Sequence, residues 1–253
     1  MTTSDDTSKT NGRRTGDTIA IDGAYQYRAL TSGNAVQRFW HASKQLVIGQ
    51  FLPPSPGDFV VDVGCGSGVV SNYLGSFGAR VWGVDGNEAA IEFARGKFGS
   101  ETVSFVRGYV DEHIQLPQPP DEMYCLEVIE HIYPDQGVAM LRVFHNLLKP
   151  GGKVLLTTPN YRSLWPIIEW ALDRHGAAAH MAEDQHVCHY HPARLRQTAE
   201  QAGFTVETLT TFCFLAPWVA PVSNRFAHAL HRIEVKSPLK VGSLILAVLV
   251  KQS

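Results

Sequence analysis

The run VVDVGCGSG at residues 60–68, followed by VWGVDG ending on Asp85 and Gly86, constrains this chain more than any other feature. An apolar strand enters a loop with glycines at 64, 66 and 68, a helix follows, and a second apolar strand ends on a carboxylate. Glycine removes side chains where backbone must pass close to a ligand, and an acidic residue about 20 positions further on is placed to accept two ribose hydroxyls. The pattern is that of a nucleoside site at a strand–loop–helix turn. Its spacing argues against a dinucleotide. The fingerprint G-x-G-x-x-G needs its last glycine at position 69, where Val69 stands, and here the third glycine comes one residue early. Asp62, two places ahead of the first glycine, would repel a pyrophosphate and favours a ligand with a cationic amino acid moiety. A glycine loop alone also serves as a plain tight turn, so its companions in the chain decide.

Three companions follow in order: the strand DEMYCLEVIEH at 121–131, the turn KPGG at 149–152 leading into KVLLTTPN, and QAGF at 201–204 before a further strand. Together with D-x-G-x-G-x-G and Asp85, this order resembles class I S-adenosylmethionine (SAM) methyltransferases, in particular the ubiquinone-biosynthesis O-methyltransferase group, over nearly the whole chain. The resemblance implies SAM as cofactor. It implies that Gly64, Cys65, Gly66 and Gly68 let the backbone approach the ligand, that Asp62 faces its amino group through a water or loop contact, and that Asp85 holds the ribose. Adenine is expected near Gly86, Asn87, Tyr109 and Val110. Many relatives carry an acidic residue where Tyr109 stands, so Asp111 or a backbone group has to receive the adenine amino group here. The segment SGNAVQRFWHASK resembles the one whose arginine meets the cofactor carboxylate, which nominates Arg38; an exposed helix arginine is the alternative.

Continuous apolar runs bounded by turn residues alternate with helical spacing, which indicates parallel strands covered on both faces. Strands are expected at 59–63, 81–85, 103–107, 123–127 and 154–158, and helices at 36–51, 69–77, 88–98 and 136–148. After the fifth strand an extra helix at 160–176, a helix at 192–201, and strands at 205–211 and 242–249 complete the pattern. The fold class is therefore α/β, a doubly wound, mostly parallel seven-stranded sheet with a helical cap, its ligand at the carboxyl ends of the strands. One domain at 19–253 is expected behind a disordered polar tail at 1–18, with cap elements at 24–51, 160–192 and 212–240. The stretch 212–240 is long for a hairpin connection.

Residues Glu127, Glu130 and His131 match the E-x-x-E-H arrangement that provides metal ligands in ubiquinone-biosynthesis and small-RNA 2′-O-methyltransferases. The resemblance thus brings in Mg²⁺ or Mn²⁺ on these three residues, lowering the pKa of an acceptor hydroxyl. The metal-free reading stands beside it: Glu130 as a helix-cap partner, and His131 orienting substrate or acting as base. The cluster HVCHYHP, with His186, His189 and His191 around Cys188, fits no common structural zinc spacing and precedes a helix. It reads as a loop ordered by histidine hydrogen bonds, from which His186 or His189 reaches the site as a fourth ligand or a general base. Trp165, Trp170, Phe212, Phe214 and Trp218 are candidates to line an apolar acceptor pocket, although aromatics at helical spacing commonly serve as core.

Composition narrows the partners. A net charge of −2, with no cluster of lysine and arginine, offers no footprint for nucleic acid. The four cysteines show no C-x-x-C spacing and read as reduced thiols in a cytoplasmic protein. The run VGSLILAVLV is too short to span a bilayer of ~30 Å and suits a buried strand, and no basic amphipathic face is evident to bring the cap to a membrane. The expectation is a SAM-dependent O-methyltransferase acting on a small, lipophilic or aromatic hydroxyl compound. Nitrogen or carbon methylation, a nicotinamide-dependent oxidoreductase and a SAM-binding protein without chemistry are the rivals.

Overall fold

The computed structural model describes residues 22–174 and 186–252. Its strands are β1 (Phe59–Val63), β2 (Arg80–Asp85), β3 (Val103–Arg107), β4 (Glu122–Leu126), β5 (Lys153–Pro159), β6 (Thr205–Phe212) and β7 (Leu244–Val250). They form one sheet in the order β3-β2-β1-β4-β5-β7-β6. The first five are parallel, and β7 runs antiparallel between β5 and β6. The helices are α1 (Tyr25–Ser32), α2 (Ala35–Phe51), α3 (Val69–Gly75), α4 (Glu88–Phe98), α5 (Pro134–Leu147), α6 (Trp165–Arg174), α7 (Pro192–Gln201), α8 (Ala216–Val219) and α9 (Asn224–Glu234), with a 3₁₀ turn at Ile129–His131. This is the doubly wound sheet that the alternation of runs implies.

Side-chain parity explains why the central strands read as unbroken apolar runs. On one face Val61, Val63, Met123 and Cys125 pack against Leu141 and Phe144 of α5 and Leu195 of α7. On the other, Val60, Tyr124 and Leu155 pack against Val47 and Ile48 of α2, Leu74 of α3 and Ile91 of α4. Both faces are covered, so every residue of β1 is buried.

The elements differ from expectation mainly at their ends. β4 stops at Leu126 and Glu127 leaves it with φ 58°, so that residue belongs to the loop rather than the strand. α5 begins at Pro134, which tolerates a first-turn position because its missing N–H has no intrahelical partner there. The extra helix starts only at Trp165. α1, ahead of the expected helix at 36–51, and the α8–α9 pair are additional helical segments of the cap. The tail at 1–18 and residues 175–185 of the second cap element lie outside the described residues.

The 212–240 insertion is fastened by two polar anchors. Asn160, fully buried just past β5, donates through Nδ2 to the carbonyls of Lys240 (3.1 Å) and Gly242 (2.9 Å), and its Oδ1 accepts from the Arg162 N–H at 3.1 Å. Glu234 of α9 accepts from the N–H groups of Phe214, Leu215 and Ala216 at 3.1, 2.7 and 2.9 Å, capping α8 with a carboxylate. Among the described residues no helix is long and apolar enough to cross a membrane. Asn160→Ala leaves the buried Gly242 carbonyl and the part-buried Lys240 carbonyl and Arg162 N–H unmet, and is expected to lower stability by about 2–3 kcal/mol. Urea unfolding followed by circular dichroism checks this; an unchanged midpoint would contradict the anchor.

Candidate active site

One cavity of about 1040 Å³ lies over the carboxyl ends of β1, β2 and β4, walled by α1, α2, α5, α6 and α8. Its size is at the upper end for small-molecule sites and leaves room for two ligands side by side. The glycine loop forms its floor. Gly64, Gly66 and Gly68 have φ of 69°, 50° and 77°, and the N–H groups of Gly64 and Cys65 both donate to the Val84 carbonyl, at 2.8 and 3.1 Å. A Cβ at Gly66 would sit 2.6 Å from the Gln26 amide oxygen, so α1 closes directly over the loop.

Asp85 organises this floor. Its Oδ2 accepts from the Gly66 N–H at 2.8 Å and its Oδ1 from the Asn87 N–H at 2.7 Å. An ionised carboxylate has about four lone-pair sites, so both oxygens keep one for a ligand hydroxyl. Beside it Gly86, Asn87, Tyr109, Val110 and Asp111 line the cavity. The ring of Tyr109 comes so close to Gly86 that a Cβ there would meet its hydroxyl at 2.6 Å. Asn87 also caps α4, its Oδ1 accepting from the Ala90 N–H at 3.2 Å.

Four residues expected at the cofactor, Asp62, Arg38, Cys65 and Gly68, do not line the cavity; at Gly68 a Cβ would meet the Phe105 ring at 2.7 Å, so that glycine serves packing against β3 and α4. Asp62 is buried beneath the loop and its Oδ2 accepts from Ser71 of α3 at 2.6 Å. Parity within β1 turns residue 62 toward α3, so its carboxylate does not reach the cavity. Burial, with some repulsion from Asp85 and partly offset by Ser71, pushes its pKa up to about 7. Arg38 is the second correction: its guanidinium donates to the Gly33 carbonyl at 2.6 Å, tying α2 to the end of α1. The face of α2 toward the cavity carries Gln37, Trp40, His41 and Lys44, and residue 38 lies a quarter-turn away from that stripe. Cys65, itself buried, adds only backbone to the loop.

The cation on this wall is Lys44, whose Nζ pairs with Glu127 Oε2 at 2.7 Å. Glu127 Oε1 is buried and has no hydrogen-bond partner among the described residues. His41 is pushed down to about 3 by burial and then by the Lys44 ammonium, which keeps it neutral. Lys44 was legible only as the fourth member of an i, i+3, i+4, i+7 stripe.

Across the cavity, Glu130 and His131 stand on the 3₁₀ turn after β4, and His186 joins them from the segment before α7. One ligand atom from each lies within 4.8 Å of the others. The turn and the segment are held together by the Cys188 N–H donating to the Glu130 carbonyl at 3.0 Å. Glu130 is buried, accepts from Thr158 Oγ1 at 2.9 Å, and has its pKa raised by burial against the opposing pull of His131 and His186. The expected triad of Glu127, Glu130 and His131 is therefore not the set brought together: Glu127 turns to Lys44, and His186 takes its place.

The other members of HVCHYHP are structural. His189 stacks on Tyr161 with ring centroids 4.0 Å apart and does not line the cavity, which corrects its expected catalytic place. His191 caps α7, its Nδ1 accepting from the Arg194 N–H at 3.3 Å, and Cys188 is core. Tyr161 also meets His186 Nδ1 through its hydroxyl at 2.9 Å. Of the aromatic candidates, Trp165 and Trp218 line the cavity, with Trp165 tilted against Trp40 at 5.3 Å, whereas Phe212 is core and Trp170 is largely exposed.

The family model for a methyltransferase domain matches residues 36–209. A ubiquinone biosynthesis O-methyltransferase of Pseudomonas paraeruginosa is 38% identical over 107 residues, which are 41% of this chain and 45% of that protein. The chain thus spans less than half the length of this relative. The protein of the same name from Aeromonas salmonicida is 30% identical over 178 residues, 67% of this chain and 70% of the relative. In fold, the chain resembles a SAM-dependent methyltransferase from Archaeoglobus fulgidus with a TM-score of 0.61 and 22% identity, over 90% of this chain and 99% of that one.

Because the Asp62 pKa is raised on folding, the protonated group favours the native state below the ordinary aspartate pKa, and that contribution is lost as pH rises toward about 7. Asp62→Asn keeps an acceptor for Ser71 without the charge. It is expected to flatten the pH dependence of urea unfolding between about pH 4 and 7; identical profiles for both proteins would contradict the buried charge.

Proposed function

The chain belongs to the methyltransferase-domain family and is a SAM-dependent class I enzyme, and from that premise we propose that it methylates an oxygen of a small, fairly apolar hydroxylated acceptor. The observation that carries the proposal is the group Glu130, His131 and His186 in a cavity whose lining also includes the apolar side chains Trp40, Trp165, Ile168, Met140 and Val143. SAM supplies a methyl group on a sulfonium, which becomes a neutral thioether when a nucleophile displaces it in line.

The residues of this chain have three tasks. Asp85 receives the ribose hydroxyls, and the nucleobase rests by Tyr109 and Val110. Lys44 would hold the carboxylate of the cofactor's amino acid end, and the unpartnered oxygen of Glu127 would hold its ammonium. This pairing does the work that Arg38 and Asp62 would have done. The acceptor hydroxyl lies against the apolar wall with its oxygen toward His131 and His186, one of which takes the proton as the new C–O bond forms. Closure by α1 and α2 excludes water from the transfer.

One carboxylate and two imidazoles with ligand atoms within 4.8 Å of one another also fit a divalent cation, and such an ion would lower the hydroxyl pKa as a Lewis acid. The two nitrogens favour Mn²⁺ over Mg²⁺. Titrating Mn²⁺ into protein loaded with S-adenosylhomocysteine (SAH) is expected to give one binding event that Glu130→Gln abolishes; no binding would leave the histidines as the base alone. His131→Ala is expected to reduce turnover by about 10²–10⁴-fold over a panel of hydroxyl compounds while SAH affinity stays within a few-fold. Turnover of amines only would move the acceptor atom from oxygen to nitrogen. Lys44→Met should weaken SAH binding by about 10- to 100-fold, read by calorimetry; unchanged affinity would remove Lys44 from the carboxylate site.

A further inference from the structure

We propose that the outer face of α9 docks on the anionic surface of a lipid bilayer. Helical periodicity divides this helix cleanly. Ala227, His231 and the adjoining Val235 are buried, with His231 edge-on to Phe39 and Phe212. The opposite side presents Phe226 and Ile233, 59% and 68% exposed, and beside them Arg225 and Arg232, with Lys236 exposed in the turn that follows the helix. The one acidic residue of the segment, Glu234, is turned inward to cap α8. Residues 216–240 thus carry Arg225, Arg232, Lys236 and Lys240 against that single carboxylate, in a chain whose net charge is −2.

Among the described residues no carboxylate pairs with Arg225, Arg232 or Lys236. Arg232, Ile233 and Lys236, with Ser237 and Pro238, line a shallow depression in the surface. Two cations flanking an apolar side chain in such a hollow suit a phosphate headgroup with acyl chain below it. The apolar side chains continue along the chain toward the site: Trp218 lines the cavity and is half exposed, Val222 is 88% exposed, and Phe226 follows after the same four-residue step.

A basic stripe next to an exposed apolar stripe is the pattern of a helix lying in the interfacial plane of a membrane. Charge complementarity chooses the occupant. A second copy of the chain seated on the same face would bring two basic stripes together, whereas anionic lipid attracts each cation and accepts Phe226 and Ile233 into the headgroup boundary. The insertion read in the linear sequence as lacking a basic amphipathic face therefore carries one.

The test is co-sedimentation of the full chain with vesicles of phosphatidylcholine alone and with vesicles containing about one third phosphatidylglycerol, at low and raised salt. Binding is expected to the anionic vesicles, weakened by salt. It should fall about 100-fold in the variant Arg225→Glu, Arg232→Glu, Lys236→Glu, whose SAH affinity stays unchanged because these residues do not line the cavity. Phe226→Ser with Ile233→Ser keeps the charges and should also weaken binding. Absence of binding to anionic vesicles, equal binding by the charge variant, or self-association that the same substitutions abolish would each overturn the proposal.

Discussion

The Asp85 carboxylate is the interaction on which the site depends. It stands at the end of β2 and accepts one N–H from the glycine loop after β1 and one from the residue that caps α4. The loop after β1 and the start of α4 are thereby fixed to one carboxylate. The loop can pass through three positive-φ glycines because its N–H groups are received by Asp85 and the Val84 carbonyl. The same carboxylate lines the cavity, so the group that builds the floor is also the one proposed to receive the ribose. The buried charge of Asp62 below the loop is a cost of this arrangement, relieved by Ser71 and by a raised pKa.

Legibility in the sequence followed the range of the interactions. β1, its loop and β2 were readable because short-range chemistry decides them: apolar runs buried on both faces, glycines where φ is positive, a carboxylate at a strand end. Glu130, His131 and His186 were readable as site candidates, but their grouping was not. Whether Glu127 or His186 completes the set depends on φ 58° at Glu127, which sends that side chain to Lys44 across the cavity. Arg38 and Lys44 belong to one helix, and only its rotational phase separates an exposed arginine from a buried lysine. His189 was misplaced for a similar reason, since alternate residues of an extended segment point opposite ways and Tyr161 claims it by stacking.

The cap shows the complementary limit. In the sequence, residues 212–240 read as a connection long for a hairpin, with no basic amphipathic face evident. Folding into α8 and α9 collects Arg225 and Arg232 on one side and His231 with Ala227 on the other. Two anchors, Asn160 and Glu234, convert the connection into a wall of the cavity, with Trp218 contributing to its lining. The floor of the cavity is thus held by the sheet, and the side proposed for the acceptor is built by additions to it.

Calorimetric titration of SAH into the wild-type protein and into Asp85→Ala tests the central assignment most directly, with NADH titrated alongside. The account predicts one SAH site, a loss of about 10- to 100-fold in the variant from the missing charge-assisted hydrogen bonds, and no NADH binding. SAH affinity unaffected by the substitution, or NADH binding with none for SAH, would contradict it.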